Sequence, residues 1–197
     1  KKEMDQLLAP GQRRARADAR RSFDALLRSA RDVFAEFGVD APVREIAARA
    51  GVGLGTVYRH FPSRADLIAA VFRQEMDACA DAAAILASQN SPFDALAKWM
   101  QRFAALVATK RGLAKALHSG DPAFEVLRGR FEQRLRPAFR SLIDAAVAAG
   151  EVRAGIDADE LLNAVRSLSM SIHEDRPDHA GRMVALFIDG LRFGVRN

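Results

Sequence analysis

From Phe23 onward, apolar side chains recur every three or four residues, and no run of four or more β-branched residues alternates as a strand would. That spacing predicts an all-α chain of about nine helices. Phe23, Leu26, Leu27, Ala30, Val33, Phe34 and Phe37 form a first stripe, which Gly38 ends. Pro42 opens a helix of about two turns faced by Val43, Ile46, Ala47 and Ala50, and Gly51 stops it. A second short helix spans Leu54 to Phe61, with Pro62 as its stop. Ser63 then caps a fourth helix reaching about Ser88, with Asp66 in the capping-box position.

The remainder repeats this pattern at greater length. Ser91-Pro92 starts a helix carrying Leu96, Trp99, Met100, Phe103, Leu106 and Val107, and a shorter one lies around Leu113 to Leu117. Asp121-Pro122 opens the longest pattern, from Phe124 to Ala146, closed by Gly150 and bent at Pro137. Asp157 and Glu160 cap the penultimate helix, and the last follows Pro177. That last helix is apolar around more than one stripe. It is either central to a monomer or buried against both its own domain and a second copy. On the second reading, Leu161, Val165, Leu168, Met183, Val184, Phe187, Ile188 and Leu191 form a homodimer interface of two helices from each copy.

With 49% hydrophobic residues in 197, the chain has apolar content for a real core, which excludes global disorder. Its charge is uneven. Residues 1–64 hold 13 basic and 8 acidic side chains, whereas residues 65–197 hold 17 of each, so the whole excess of +5 lies in the first third. A basic segment on a neutral body fits a polyanion, either nucleic acid or an anionic membrane surface; a solubilising tail is the plainer alternative. The single Cys79 excludes an intramolecular disulfide. No stretch of 18 apolar residues suggests a membrane span, and Lys1 to Gln12 lacks the apolar core of a signal peptide. A reducing, cytoplasmic setting is expected, and the absence of Met at the start suggests that the native chain begins earlier.

Residues 43–61 concentrate the functional signal. Two short helices joined at Gly51 make a helix-turn-helix: Ala47 lets the helices cross closely, Gly51 takes the positive φ, and Val52 fills the angle. The second helix carries Gly55, Thr56, Tyr58, Arg59 and His60, and it is too short to fold for its own sake. Its polar face suits the major groove.

At these residues the sequence resembles the TetR family of bacterial transcriptional regulators. The likeness runs from about Arg20 to Phe72 and includes Phe34-Ala35-Glu36-Phe37-Gly38, Val43-Arg44-Glu45-Ile46-Ala47, Ala50-Gly51-Val52 and Gly55 to Ser63. Pro42 stands where the family often has Thr, Arg64 where it has Lys, and Gly53 where it has Ser. The first change removes a hydroxyl, and the last leaves backbone N–H groups free for a phosphate. The resemblance implies a helix-turn-helix domain at residues 1–62 with a basic N-terminal arm. It also implies a helical ligand-binding and dimerisation domain at residues 63–197. Thr56, Tyr58, His60 and Arg64 match positions that clamp phosphates. Arg44 and Arg59 have the reach for a guanine edge, a solvated helix face being the weaker alternative. Leu54 suits a thymine methyl, Gly55 allows close backbone approach, and Arg13, Arg14, Arg16, Arg20 and Arg21 form an arm suited to a flanking minor groove.

In the second domain, Trp99, Met100, Phe103, Phe131, Phe139 and Met170 suit an apolar pocket, or plain core packing, with His118 as a polar handle or a helix cap. Gly150 to Leu162 looks like the family's approach to its penultimate helix. An enzyme finds no support: no nucleophile, base and orienting acid occur as a set. His173-Glu174-Asp175 with His179 lacks the HExxH spacing of a helical metal site. No strongly apolar face accompanies the arm, which argues against a membrane-surface role. The expectation is a homodimeric regulator without cofactor or metal. It binds a double-stranded operator and is most simply a repressor that a small apolar or amphipathic effector releases. The alternative is a DNA-binding dimer that responds to no small molecule.

Overall fold

A computed structural model describes residues 10–108, 121–170 and 179–193, and among them the chain is helical, with no strand. It divides into two compact units at Val71/Phe72.

The first unit holds α1 (Pro10–Phe37), α2 (Val43–Ala50), α3 (Leu54–His60) and the first two turns of α4 (Arg64–Gln89). Its core is the predicted stripe: Leu26, Ala30, Val33 and Phe34 of α1 meet Ile46, Ala47, Val57 and Phe61, all nearly inaccessible. Leu67 and Ile68 are buried as well, which is why the unit continues past residue 62. Gly38, at φ +80°, ends α1 with its N–H on the Phe34 carbonyl at 3.0 Å. Ser63 and Asp66 form the expected reciprocal capping box. The Ser63 N–H donates to Asp66 Oδ2 at 2.9 Å, and the Asp66 N–H donates to Ser63 Oγ at 3.1 Å.

The second unit holds the rest of α4, α5 (Pro92–Ala108), α6 (Glu125–Arg130), α7 (Arg136–Ala148), α8 (Ala158–Ser169) and α9 (His179–Phe193). A 3₁₀ turn at Pro122–Phe124 precedes α6. Helix α5 is central: α7, α8 and α9 all pack on it. Trp99 is fully buried, stacked on Phe103 at 5.6 Å and on Phe139 at 5.2 Å, with its indole N–H donating to the Cys79 carbonyl at 2.8 Å. The long pattern from Asp121 to Gly150 does not form one bent α-helix. It widens into a π turn at Phe131–Leu135 before α7, whose first turn contains Pro137. Proline has no N–H to return to the residue four positions back, and the wider turn absorbs that loss.

Candidate nucleic-acid interface

Gly51 makes the turn. At φ +68° its N–H reaches the Ala48 carbonyl at 3.1 Å, and the Val52 N–H reaches Ala47 at 3.0 Å, closing α2 on a paired motif. Helix α3 is then held from beneath by Val57 and Phe61, which are 1% and 3% exposed. This anchoring turns the opposite face outward. Leu54 and Tyr58 are 46% and 50% exposed, Gly55 and Arg59 lie open beside them, and Thr56 is half-buried at the edge. Arg44, in the first turn of α2, is exposed too. Among the described residues neither Arg44, Tyr58 nor Arg59 has a side-chain partner, so their donors are available to a ligand.

The acidic side chains nearby are already occupied. Arg49 donates to Glu36 Oε2 at 2.7 Å and to Glu45 Oε1 at 2.9 Å, and it lies 5.4 Å over the Phe37 ring. Hydrogen bonding to Glu36 first, and to Glu45 second, raises the Arg49 pKa further above its ordinary value. The pairing ties α1 to α2 and leaves Arg44 and Arg59 without a competing carboxylate. Nothing but the i,i+4 spacing of Glu45 and Arg49 could have revealed this hub from sequence.

Three groups of the expected contacts have surroundings that the sequence does not show. The Arg64 guanidinium donates to the Val39 carbonyl and, at 2.6 Å, to the Ala41 carbonyl. His60 is half-buried, its ring edge-on to Phe23 at 5.7 Å, while Phe23 also stacks on Phe61 at 5.3 Å. Arg13, Arg14, Arg16, Arg20 and Arg21 do not form an extended arm, because all lie within α1. An α-helix about 10–12 Å across does not enter a minor groove roughly 6 Å wide. Arg16 and Arg20 are exposed there, and Arg21 pairs with Asp18.

Trp99, Met100, Phe103 and Phe139 are at most 3% exposed, and Trp99 stacks on Phe103 and Phe139. Phe131 is half-buried in the π turn, Met170 is 47% exposed, and His118 lies outside the described residues. A cavity of about 190 Å³ lies between Gln101, Ala104 and Ala105 of α5, Ser169 of α8, and Ala180, Gly181 and Val184 of α9. Small side chains create it, a signal that a search for aromatics overlooks. Of the residues expected to pair two copies, Leu161, Val165, Val184 and Ile188 are buried within their own unit, because α8 and α9 pack on each other and on α5. Leu168, Met183, Phe187 and Leu191 remain partly accessible, beside Leu186 at 63%. His173, Glu174 and Asp175 fall outside the described residues, within which no cluster suited to a metal occurs.

Two matches decide the family. Residues 26–71 match the family described as bacterial regulatory proteins, tetR family, and residues 91–193 match the C-terminal domain of SbtR-like transcriptional regulators. The chain belongs to the TetR family of bacterial transcriptional regulators. The solved structure of a TetR transcriptional regulator from Streptomyces coelicolor is 37% identical, with a TM-score of 0.71 over 86% of this chain and 97% of that one. A TetR regulatory protein from Mycobacterium vanbaalenii is 35% identical, with a TM-score of 0.68 over 90% and 99%. An HTH-type transcriptional repressor of Mycobacterium tuberculosis is 34% identical over 122 residues, which are 61% of this chain. The chain spans only 56% of the length of that relative. The tetR match ends at Val71, where the first compact unit ends.

Proposed function

We propose that this chain is a homodimeric repressor that holds a palindromic operator and releases it when a small apolar or amphipathic effector binds the second unit. The observation that carries the reading is the outward face of α3, with Leu54, Tyr58 and Arg59 exposed over a buried Val57 and Phe61. In this arrangement Tyr58 and Thr56 hold phosphates and fix register, Arg59 and Arg44 read base edges, and Leu54 touches a thymine methyl. His60 contributes from the edge of α3. The helical start of α1 lays Arg16 and Arg20 along the backbone beside the groove. Two copies pair through the accessible residues of α8 and α9, which sets the recognition helices one turn of DNA apart. Effector binding shifts α4, whose first turns belong to the DNA-binding unit, and affinity falls by the differential binding of effector to the two states.

Duplexes selected from a random pool and titrated in gel shifts test this directly. Tyr58→Phe should weaken all selected duplexes alike. Arg59→Ala should cost about 1–3 kcal/mol and relax preference at one base position. Selection of no duplex by the wild-type chain, or unaltered affinity in both variants, removes α3 from the interface. A constitutive regulator is the second reading, favoured by the close packing around Trp99. A screen of apolar ligands for loss of operator binding separates the two.

A further inference from the structure

Arg64 is the first residue of α4, and the sequence places it among phosphate-contacting positions. Its geometry is that of an internal strut. Nε donates to the Val39 carbonyl at 3.1 Å, and one terminal nitrogen bridges Val39 and Ala41, at 2.6 Å from the latter. Both acceptors lie in the turn between α1 and α2, at residues only 3% exposed. Without Arg64 their carbonyls would be left unpaired in a dry corner. Within the turn itself the Ala41 N–H donates to the Gly38 carbonyl at 3.2 Å. Pro42, which begins α2, offers no side-chain cap, and Arg44 follows two residues later.

We infer that Arg64 is a positioning residue: by locking the α1–α2 turn to the first turn of α4, it sets where α2 presents Arg44 to DNA. This inference rests on the DNA-binding reading of α2 and α3 and adds the residue through which a displacement of α4 reaches the reading surface. With Nε and one terminal nitrogen held on carbonyls inside the unit, the proposed strut does not extend to a phosphate. Replacing it therefore changes affinity without changing the number of counterions released. A planar fork that spans two carbonyls is also not reproduced by the point charge of lysine.

The test is a double-mutant cycle on the full-length protein with a duplex chosen by selection. Arg64→Gln and Arg64→Lys should each lower affinity about tenfold, the size expected for one misplaced charged contact, while the slope of log affinity against log salt stays at the wild-type value. In an Arg44→Ala background the same substitutions should cost less than about twofold, because the contact they misplace is already gone. Loss of stability alone would not produce that coupling. A slope reduced by about 0.9 in Arg64→Gln and restored in Arg64→Lys makes Arg64 a phosphate contact and overturns the inference. Additive losses, or no loss, overturn it equally. If Arg64→Gln fails to fold, the Arg64→Lys cycle decides the question. Failure of the wild-type chain to bind any selected duplex refutes the DNA-binding reading itself, which distinguishes that outcome from failure of the strut.

Discussion

Replacing Phe139 by Ala asks whether the second unit is closed around its aromatic centre or open for a guest. Phe139 is fully buried and stacks on Trp99 at 5.2 Å with 28° between the rings. Truncating a packed Phe costs about 3–5 kcal/mol, of which the ring pair accounts for roughly 0.5–1.5. With a urea dependence of about 2 kcal/mol per molar, the unfolding midpoint should fall by roughly 1.5–2.5 M. Trp99 is the chain's one Trp, so its emission reports this unit without a label. Protomer concentration has to be held fixed, because pairing of copies adds apparent stability. Ile85→Ala is the control, since that side chain is 56% exposed and should change stability by about 0.5 kcal/mol or less. A loss under about 1 kcal/mol for Phe139→Ala would mean that the ring borders open space, as a pocket wall does, and the packed centre described above would be wrong.

Gly51→Ala should destabilise by about 1–2 kcal/mol through backbone strain alone, because φ is +68° and nothing lies within 4 Å of an added Cβ. An unchanged far-UV melting temperature would show that the turn relaxes to another conformation. Leu186→Glu, on the exposed side of α9, should leave the fold intact and shift sedimentation toward monomer. A mass independent of this substitution puts the pairing surface elsewhere. Arg130 binds Asp77 through both carboxylate oxygens at 2.6 and 2.7 Å, and Arg134 pairs with Asp81 one turn on. Removing Asp77 and Arg130 together should cost less than the sum of the single losses, with the coupling shrinking as salt rises. Strict additivity would show that the pair contributes nothing to stability.

Local patterns made most of the fold legible. The stripe from Leu26 to Phe34, the Gly51 turn and the Ser63–Asp66 cap each depend on residues within one or two turns, and each occurs as expected. The outward face of α3 was legible for the same reason, since Val57 and Phe61 have to point inward if a helix so short is to be held at all. What escaped depends on distance. Whether Trp99 and Phe139 touch each other or a void is set by side chains 40 residues apart, and composition does not distinguish the two. Arg64 reads as a free cation until the carbonyls 25 and 23 residues before it are seen beneath its guanidinium. The α9 residues Val184 and Ile188 look available to a second copy because one helical stripe cannot say which neighbour it faces.

Helix α1 begins at Pro10, thirteen residues before the Phe23 ring that rests on His60 and Phe61. At 1.5 Å per residue that is a rod of roughly 20 Å, the length of about six base pairs. On the proposed DNA-binding reading, this helix would lie over sugar and phosphate and sense no letters. The stretch of duplex that each copy shields from nuclease should therefore extend several base pairs beyond the stretch whose sequence matters. Mutations in that outer margin should be silent, whereas shortening the duplex through it should not.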